Sequence, residues 1–294
     1  MTVSSLPLSY CTNVHPGQTV AEVQGGLRDF TVPVRDAVGE LAAGLWLARP
    51  VATELLESNA ASLDRFADWL HGTGLTCYTL NTFPFGNFHD ERVKENVYLP
   101  DWSDPRRLIY TQDCARILAR LLPHDEMIGS LSTVPLGFKP FDQGAGFPDR
   151  CALQLIELAR SLDQLRDETG RTIRLAIEPE PFCLIETTPE TVQFFRRLRE
   201  LAADQQMLEQ VTEFIGVCYD ICHQAVEFED IPASIRTLAS EEIRIDKVHI
   251  SSAIRAERPS ENAEAREALA RYVEPRYLHQ TIARHGDGTI VRAV

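Results

Sequence analysis

The run Ile173-Arg174-Leu175-Ala176-Ile177 ends in Glu178-Pro179-Glu180, and the run Ile215-Gly216-Val217-Cys218-Tyr219 ends in Asp220-Ile221-Cys222-His223. A third run, Ile245 to Ile250, carries His249 near its end. Side chains alternate along a strand, so Glu178 and Glu180 share a face. A buried carboxylate without a partner is costly, so Glu178 requires a metal ion, an arginine from a neighbouring strand, or water. Asp220 and His223 stand where a strand becomes a loop, so they can face one cavity and offer it an oxygen and a nitrogen donor. By itself that pair reads equally well as an aspartate capping the next helix beside an unrelated histidine. The histidine on the following strand shifts the balance. Successive strands ending in Glu, Asp-x-x-His and His predict a shared divalent-metal site of Glu178, Asp220 and His249, with manganese, magnesium, zinc or cobalt all compatible. Glu180 is expected beside it as a pocket group.

Such residues need rigid strands to hold them. Short apolar runs alternate with longer segments of helical period, the pattern of a parallel sheet with crossover helices. The strands are expected at Leu8 to Thr12, Gly44 to Leu47, Thr76 to Leu80, Met127 to Ser132, Ile173 to Ile177, Ile215 to Tyr219 and Ile245 to Ile250. Asp104-Pro105 and Thr188-Pro189-Glu190 read as helix starts, and Ser260-Glu261 opens another helix. Gly170 reads as the stop of a helix that begins near Asp149. A chain of 294 residues fits one α/β barrel, and no linker or repeat divides it, so a single domain over 1–294 is expected. The connections Asn81 to Ser103 (Phe83, Phe85, Phe88, Tyr98, Trp102) and Thr133 to Pro148 (Phe138, Phe141, Phe147) are long and aromatic. On the C-terminal face of a barrel they read as a lid over an apolar pocket, or as aromatics packing the loops down.

With 43 acidic against 29 basic residues the net charge is -14, and such a field repels phosphate backbones, so no nucleic-acid partner is expected. Met1 to Ser5 carries no basic segment ahead of an apolar run, and the apolar stretch Leu41 to Leu47 is too short to span a bilayer. A cytoplasmic protein without membrane insertion is expected. The seven cysteines are odd in number and lack C-x-x-C spacing, which suits a reducing compartment. Cys218 and Cys222 flank the Asp220 motif, where burial as small hydrophobes outweighs a role as soft metal ligands.

The order Glu178, Asp220, His223, His249 resembles the xylose isomerase-like barrels, also called the family-2 AP endonuclease superfamily, which includes sugar isomerases and epimerases. The resemblance implies a (β/α)8 TIM barrel in which a Glu, an Asp and a His, with a further Glu from the eighth strand, hold a divalent ion that polarises a ketose carbonyl and hydroxyl. Four segments are more specifically similar to the EboE metabolite-traffic proteins: Leu8 to Gly17, Phe83-Pro84-Phe85-Gly86, Asp101 to Arg107, and Leu175 to Pro181. That likeness implies a role in moving a secondary-metabolite precursor. The chain departs from the pattern at its C-terminus. His285-Gly286-Asp287-Gly288 between apolar stretches reads as a hairpin over about 277–294, not as a barrel strand with its helix. A barrel incomplete at the C-terminus, without the fourth ligand, is therefore expected.

The function expected is metal-assisted isomerisation or epimerisation of a small polyhydroxylated metabolite, with Glu178 as base, or Glu180 where Glu178 is committed to the ion. His15, Asn81 and His89, on the loops after the first and third strands, are expected with His223 on the substrate side; ordinary loop hydrogen bonding is the other reading of the first three. Two rivals stand beside it. One is a metabolite-binding or handover protein without turnover; the other is a metal-dependent phosphodiesterase, which the negative charge disfavours. A barrel missing one strand leaves the first and seventh strand edges unpaired, so either a homodimer forms or the hairpin covers the gap.

Overall fold

The computed structural model describes residues 6–57, 60–86, 89, 93–273 and 278–294; Met1 to Ser5, Phe88 and Tyr277, to which the sequence assigns a place, lie outside them. The chain alternates strand and helix: β1 (Ser9–Cys11), α1 (Val20–Gly26), α2 (Val32–Val38), β2 (Ala42–Trp46), α3 (Arg49–Glu57), α4 (Ala60–Gly72), β3 (Thr79–Asn81), α5 (Pro105–Leu121) and β4 (Ile128–Thr133). There follow α6 (Phe147–Thr169), β5 (Thr172–Ile177), α7 (Thr188–Asp204), α8 (Leu208–Phe214), β6 (Ile215–Asp220), α9 (Ile221–Val226), α10 (Ile231–Ser240), β7 (Ile245–His249), α11 (Ala263–Ala270), β8 (Thr281–Arg284) and β9 (Ile290–Ala293).

All seven expected strands form, and they pair in parallel in chain order from β1 to β7. Among the described residues no pairing joins β7 to β1, so the sheet is an open barrel. The third strand is displaced from its expected place: Ala43 N still donates to Thr76 O, but the β2 ladder begins only at Gly44 opposite Thr79. Every residue of β2 is buried, as expected of a strand covered on both faces. At the other edge α11 buries none of its residues, and Val248 on β7 is 52% exposed. Among the described residues, α11 does not cover Val248, while Lys247 and His249 of β7 turn to the other face.

Helix ends follow local chemistry. Asp104 accepts from Arg106 N at 2.9 Å ahead of Pro105, and Thr187 with Glu190 forms a reciprocal capping box at the start of α7. Gly170 ends α6 with φ at 69°, a left-handed conformation that glycine adopts without strain. The start expected at Ser260-Glu261 is corrected: α11 opens later because Asn262 accepts from Ala265 N at 3.0 Å. An Asn side chain that reaches the third amide of the helix satisfies a donor that Ser260 does not reach.

The lid reading of the two aromatic loops is also corrected. Phe83, Tyr98, Trp102, Phe138 and Phe147 belong to the core. Tyr98 stacks on Phe138 with ring centroids 4.7 Å apart, Phe83 meets Tyr98 edge-on at 5.8 Å, and Trp102 Nε1 donates to Thr133 Oγ1. Large rings bury most apolar surface when they turn inward, so these residues fasten one loop to the other and both to the barrel. Among the described residues these aromatics make a wall.

The hairpin forms as expected, with β8 and β9 antiparallel, but it is a separate sheet that pairs with neither open edge. Side chains fasten it: Arg284 lies over the Phe228 ring at 4.5 Å, Arg292 pairs with buried Glu227, and Gln280 donates to Pro181 O. No helix among the described residues is long and apolar enough to cross a membrane.

Candidate metal centre

β5 ends at Ile177 opposite Val217, and the Glu178 amide continues the ladder by donating to Thr133 O, so Glu178 stands level with Cys218. Alternation then places Cys218 and Asp220 on the same face of β6 as Glu178. Val217 pairs with Ile245, and continuing that register would set Val248 opposite Asp220. A bulge between Val217 and Cys218 inserts one residue, so that Cys218 faces Lys247 and Asp220 faces His249. A one-residue shift exchanges the two faces of a strand, and this one brings His249 to the carboxylates.

The bulge needs Gly216. A Cβ there would stand 2.1 Å from Asp246 Oδ2 and 2.9 Å from Arg244 O, closer than atoms pack. Arg244 and Arg174 hold the Asp246 carboxylate in that position. Gly216→Ala is therefore expected to destabilise the protein by about 1–3 kcal/mol, the usual cost of overpacking, and to weaken any ion held beside His249. Urea unfolding and metal titration check it; a variant equal to the parent in both would show that the bulge tolerates a side chain.

Glu178 and Asp220 are buried, and His249 is partly buried between them. His249 Nδ1 lies 3.1 Å from Glu178 Oε1 and 3.4 Å from Asp220 Oδ2. Asp220 Oδ1 accepts from the Cys222 and His223 amides and from Ser251 Oγ, so this oxygen caps α9 while Oδ2 lies beside His249. The capping reading of Asp220 is thus borne out. Two atoms have no hydrogen-bond partner although they are buried: Glu178 Oε2 and His249 Nε2. Burial would lower the His249 pKa, but the Glu178 carboxylate beside it prevails and holds it well above the ordinary histidine value. Burial would raise Asp220, but its hydrogen bond to His249 and the nearby His223 prevail and hold it well below the carboxylate range. Donor atoms of Glu178, Cys218 and His249 lie within 4.8 Å of one another, as do those of Asp220, Cys222 and His223. Either group could hold a metal ion.

Glu180 is held from two distant segments. Its Oε1 accepts from Tyr98 Oη at 2.7 Å and from Gln280 Nε2 at 2.9 Å. Burial raises its pKa against the lowering influence of His223, Gln280 and Tyr98. His223 Nδ1 lies 3.0 Å from Pro179 O and 3.9 Å from Glu178 Oε1, so it joins the same cluster. His15 and His89 gather elsewhere on the rim. His15 stacks on Phe30 at 4.0 Å and bonds Tyr10 Oη, while His89 Nε2 lies 2.8 Å from Asn13 O and beside Trp46. Asn81 is buried, and its Oδ1 accepts from Phe83 N and Ser132 Oγ, the bonding of a loop anchor.

Three residues near the site, Lys247, Tyr98 and Gln280, are not among the expected site residues. Lys247 reaches across the interior to Leu80 O at 3.2 Å and Ser132 Oγ at 3.0 Å, and its place between Val217's partner and His249 depends on the bulge. Tyr98 and Gln280 arrive from segments far from Glu180 in sequence, so spacing carries no sign of them. Cys218, for which burial as a small hydrophobe is the reading the sequence favours, lies on the Asp220 face of β6.

No family model matches the chain, and no curated protein does. Solved structures do. A xylose isomerase-like TIM barrel protein from Mycobacterium smegmatis, determined in complex with magnesium, superposes with a TM-score of 0.57 at 13% identity, over 87% of this chain and 78% of that one. The fold is that of the xylose isomerase-like TIM barrels. An L-ribulose 3-epimerase superposes with a TM-score of 0.51 at 14% identity, over 93% of this chain and 80% of that one. At such identities the likeness is one of architecture. In a barrel of this kind the C-terminal strand ends are where active sites are built, and here they carry Glu178, Asp220 and His249.

Proposed function

We propose that this chain is a divalent-metal-dependent isomerase or epimerase of a small polyhydroxylated ketose-like metabolite. The observation that carries the reading is the buried cluster at successive strand ends in which His249 Nδ1 lies between Glu178 and Asp220, while the second atoms of two of its members, Glu178 Oε2 and His249 Nε2, are buried without hydrogen-bond partners. Such atoms are costly unless a partner meets them, and a carboxylate-and-imidazole donor set suits a divalent cation. When bound, the ion supplies Lewis acidity for a substrate carbonyl and its neighbouring hydroxyl.

The chain's own residues supply the rest. With Glu178 among the ligands, Glu180 is the carboxylate left to move the proton on the carbon beside the carbonyl. Its described hydrogen bonds both fall on Oε1, which aims the carboxylate while Oε2 accepts none of them. Burial raises its proton affinity, as a group that must both take and return a proton requires. His223, beside Glu178, orients a substrate hydroxyl. The segments similar to EboE proteins support a finer reading, in which the substrate is a precursor handled in metabolite traffic.

The test is deuterium wash-in. The full chain, loaded with manganese or zinc and quantified for bound metal, is incubated with a panel of ketopentoses and ketohexoses in deuterium oxide and followed by proton NMR. Exchange at the carbon beside the carbonyl is expected for at least one sugar, and it is expected to disappear in Glu180→Gln. Stoichiometric metal without wash-in on any sugar would favour the handover protein; absence of bound metal would overturn the reading.

A further inference from the structure

The metal reading rests on oxygen and nitrogen donors, but a sulfur stands in the same cluster. Cys218 is fully buried, level with Glu178 in the sheet and on the Asp220 face of β6. Its Sγ lies within 4.8 Å of donor atoms of both Glu178 and His249. Glu178 is 5% exposed, and its Oε2 is buried and meets no hydrogen-bond donor. We propose that Cys218 is a metal ligand, so that Glu178, Cys218 and His249 form a carboxylate, thiolate and imidazole set that selects zinc over magnesium or manganese.

The inference rests on the proposed metal centre and deepens it by naming the ion. The other cysteine-bearing group is the weaker candidate, because its members are already engaged: Asp220 Oδ1 accepts three hydrogen bonds, and His223 Nδ1 lies on Pro179 O. A thiolate is a soft ligand and prefers zinc or cobalt, whereas magnesium and manganese favour carboxylate, carbonyl and water. As the sulfur–metal bond forms, the S–H bond breaks and its proton leaves to solvent, with no change of oxidation state.

Cobalt(II) alone is the probe, because a thiolate bound to cobalt gives a charge-transfer absorption in the near ultraviolet that oxygen and nitrogen ligands do not. The full chain titrated with cobalt chloride is expected to show that band at one equivalent and to lose it when zinc, but not excess magnesium, is added. The band is expected to vanish in Cys218→Ser and to persist in Cys222→Ser. Should Cys218→Ser fail to fold, the parent band and its survival in Cys222→Ser decide the matter, since Cys222 is the other cysteine grouped with metal donors among the described residues. Stoichiometric cobalt without the band would overturn cysteine ligation and leave the metal centre standing. No bound cobalt would overturn both, and a band lost in Cys222→Ser would move the ligand to that residue.

Discussion

Glu178→Gln is expected to abolish the stabilisation that a bound divalent ion confers while leaving the metal-free protein folded. The amide keeps the shape of the side chain, so the barrel rim packs as before and the substituted group can still meet His249. What is lost is the charge and the free oxygen at Oε2, the atom that otherwise has no partner. Even groups one step removed from a metal change its affinity by about 10- to 100-fold, so loss of a direct ligand is expected to cost at least about 100-fold. An ion at about 100 times its dissociation constant stabilises a folded protein by about 2.7 kcal/mol. The parent should gain that much on adding zinc, and the variant almost none. Differential scanning calorimetry with and without zinc measures the difference directly. Equal gains in the two proteins would place the ion away from Glu178.

Arg107→Met is expected to cost about 3 kcal/mol or more of folding stability, although Arg107 touches none of the proposed ligands. Its side chain is fully buried, and it donates to Pro100 O at 2.8 Å, Thr82 O at 2.7 Å and Phe83 O at 2.9 Å. These carbonyls belong to the loop after β3, so one guanidinium ties that loop to α5. Burial pulls the Arg107 pKa down to about 10, yet the group remains charged at neutral pH. Tyr110, Cys114, Asp101 and Asp104 nearby oppose the desolvation, and the three carbonyls take its donors. Methionine retains the apolar stem but leaves three buried acceptors without their donor, each worth about 1–3 kcal/mol. That loss outweighs the relief of removing a buried charge. Urea unfolding of the variant checks the value, and hydrogen exchange at the Trp102 amide, which donates to Leu136 O, reports whether the loop has loosened. A stability within about 1 kcal/mol of the parent would mean that the loop is held by its aromatics alone.

Much of this protein is legible in its sequence. Short apolar runs, several of them β-branched, mark all seven barrel strands, and Asp-Pro, Thr-Pro-Glu and the glycine after Thr169 mark helix ends, because these are local preferences of backbone and side chain. The sequence by itself also determines that Glu178, Asp220 and His249 stand at the ends of successive strands. Chain order in a βα repeat becomes neighbour order in the sheet, so residues far apart in sequence become adjacent by topology alone.

What only the tertiary structure decides is which way those strand ends face and what else meets there. Whether His249 or Val248 sits opposite Asp220 depends on a bulge that Gly216 and Asp246 permit, and nothing in the alternation of β7 announces it. The aromatic loops have the composition of a lid, but the packing of Tyr98 on Phe138 turns them into a wall. Gln280 reaches Glu180 across a separation of 100 residues, on a hairpin whose docking depends on Arg292 and Glu227. Cys218 looks like a core filler until the register sets it level with Glu178. Periodicity is written in the sequence because it is a property of one strand; register belongs to a pair of strands, and a shift of one residue between them reverses every side chain beyond it.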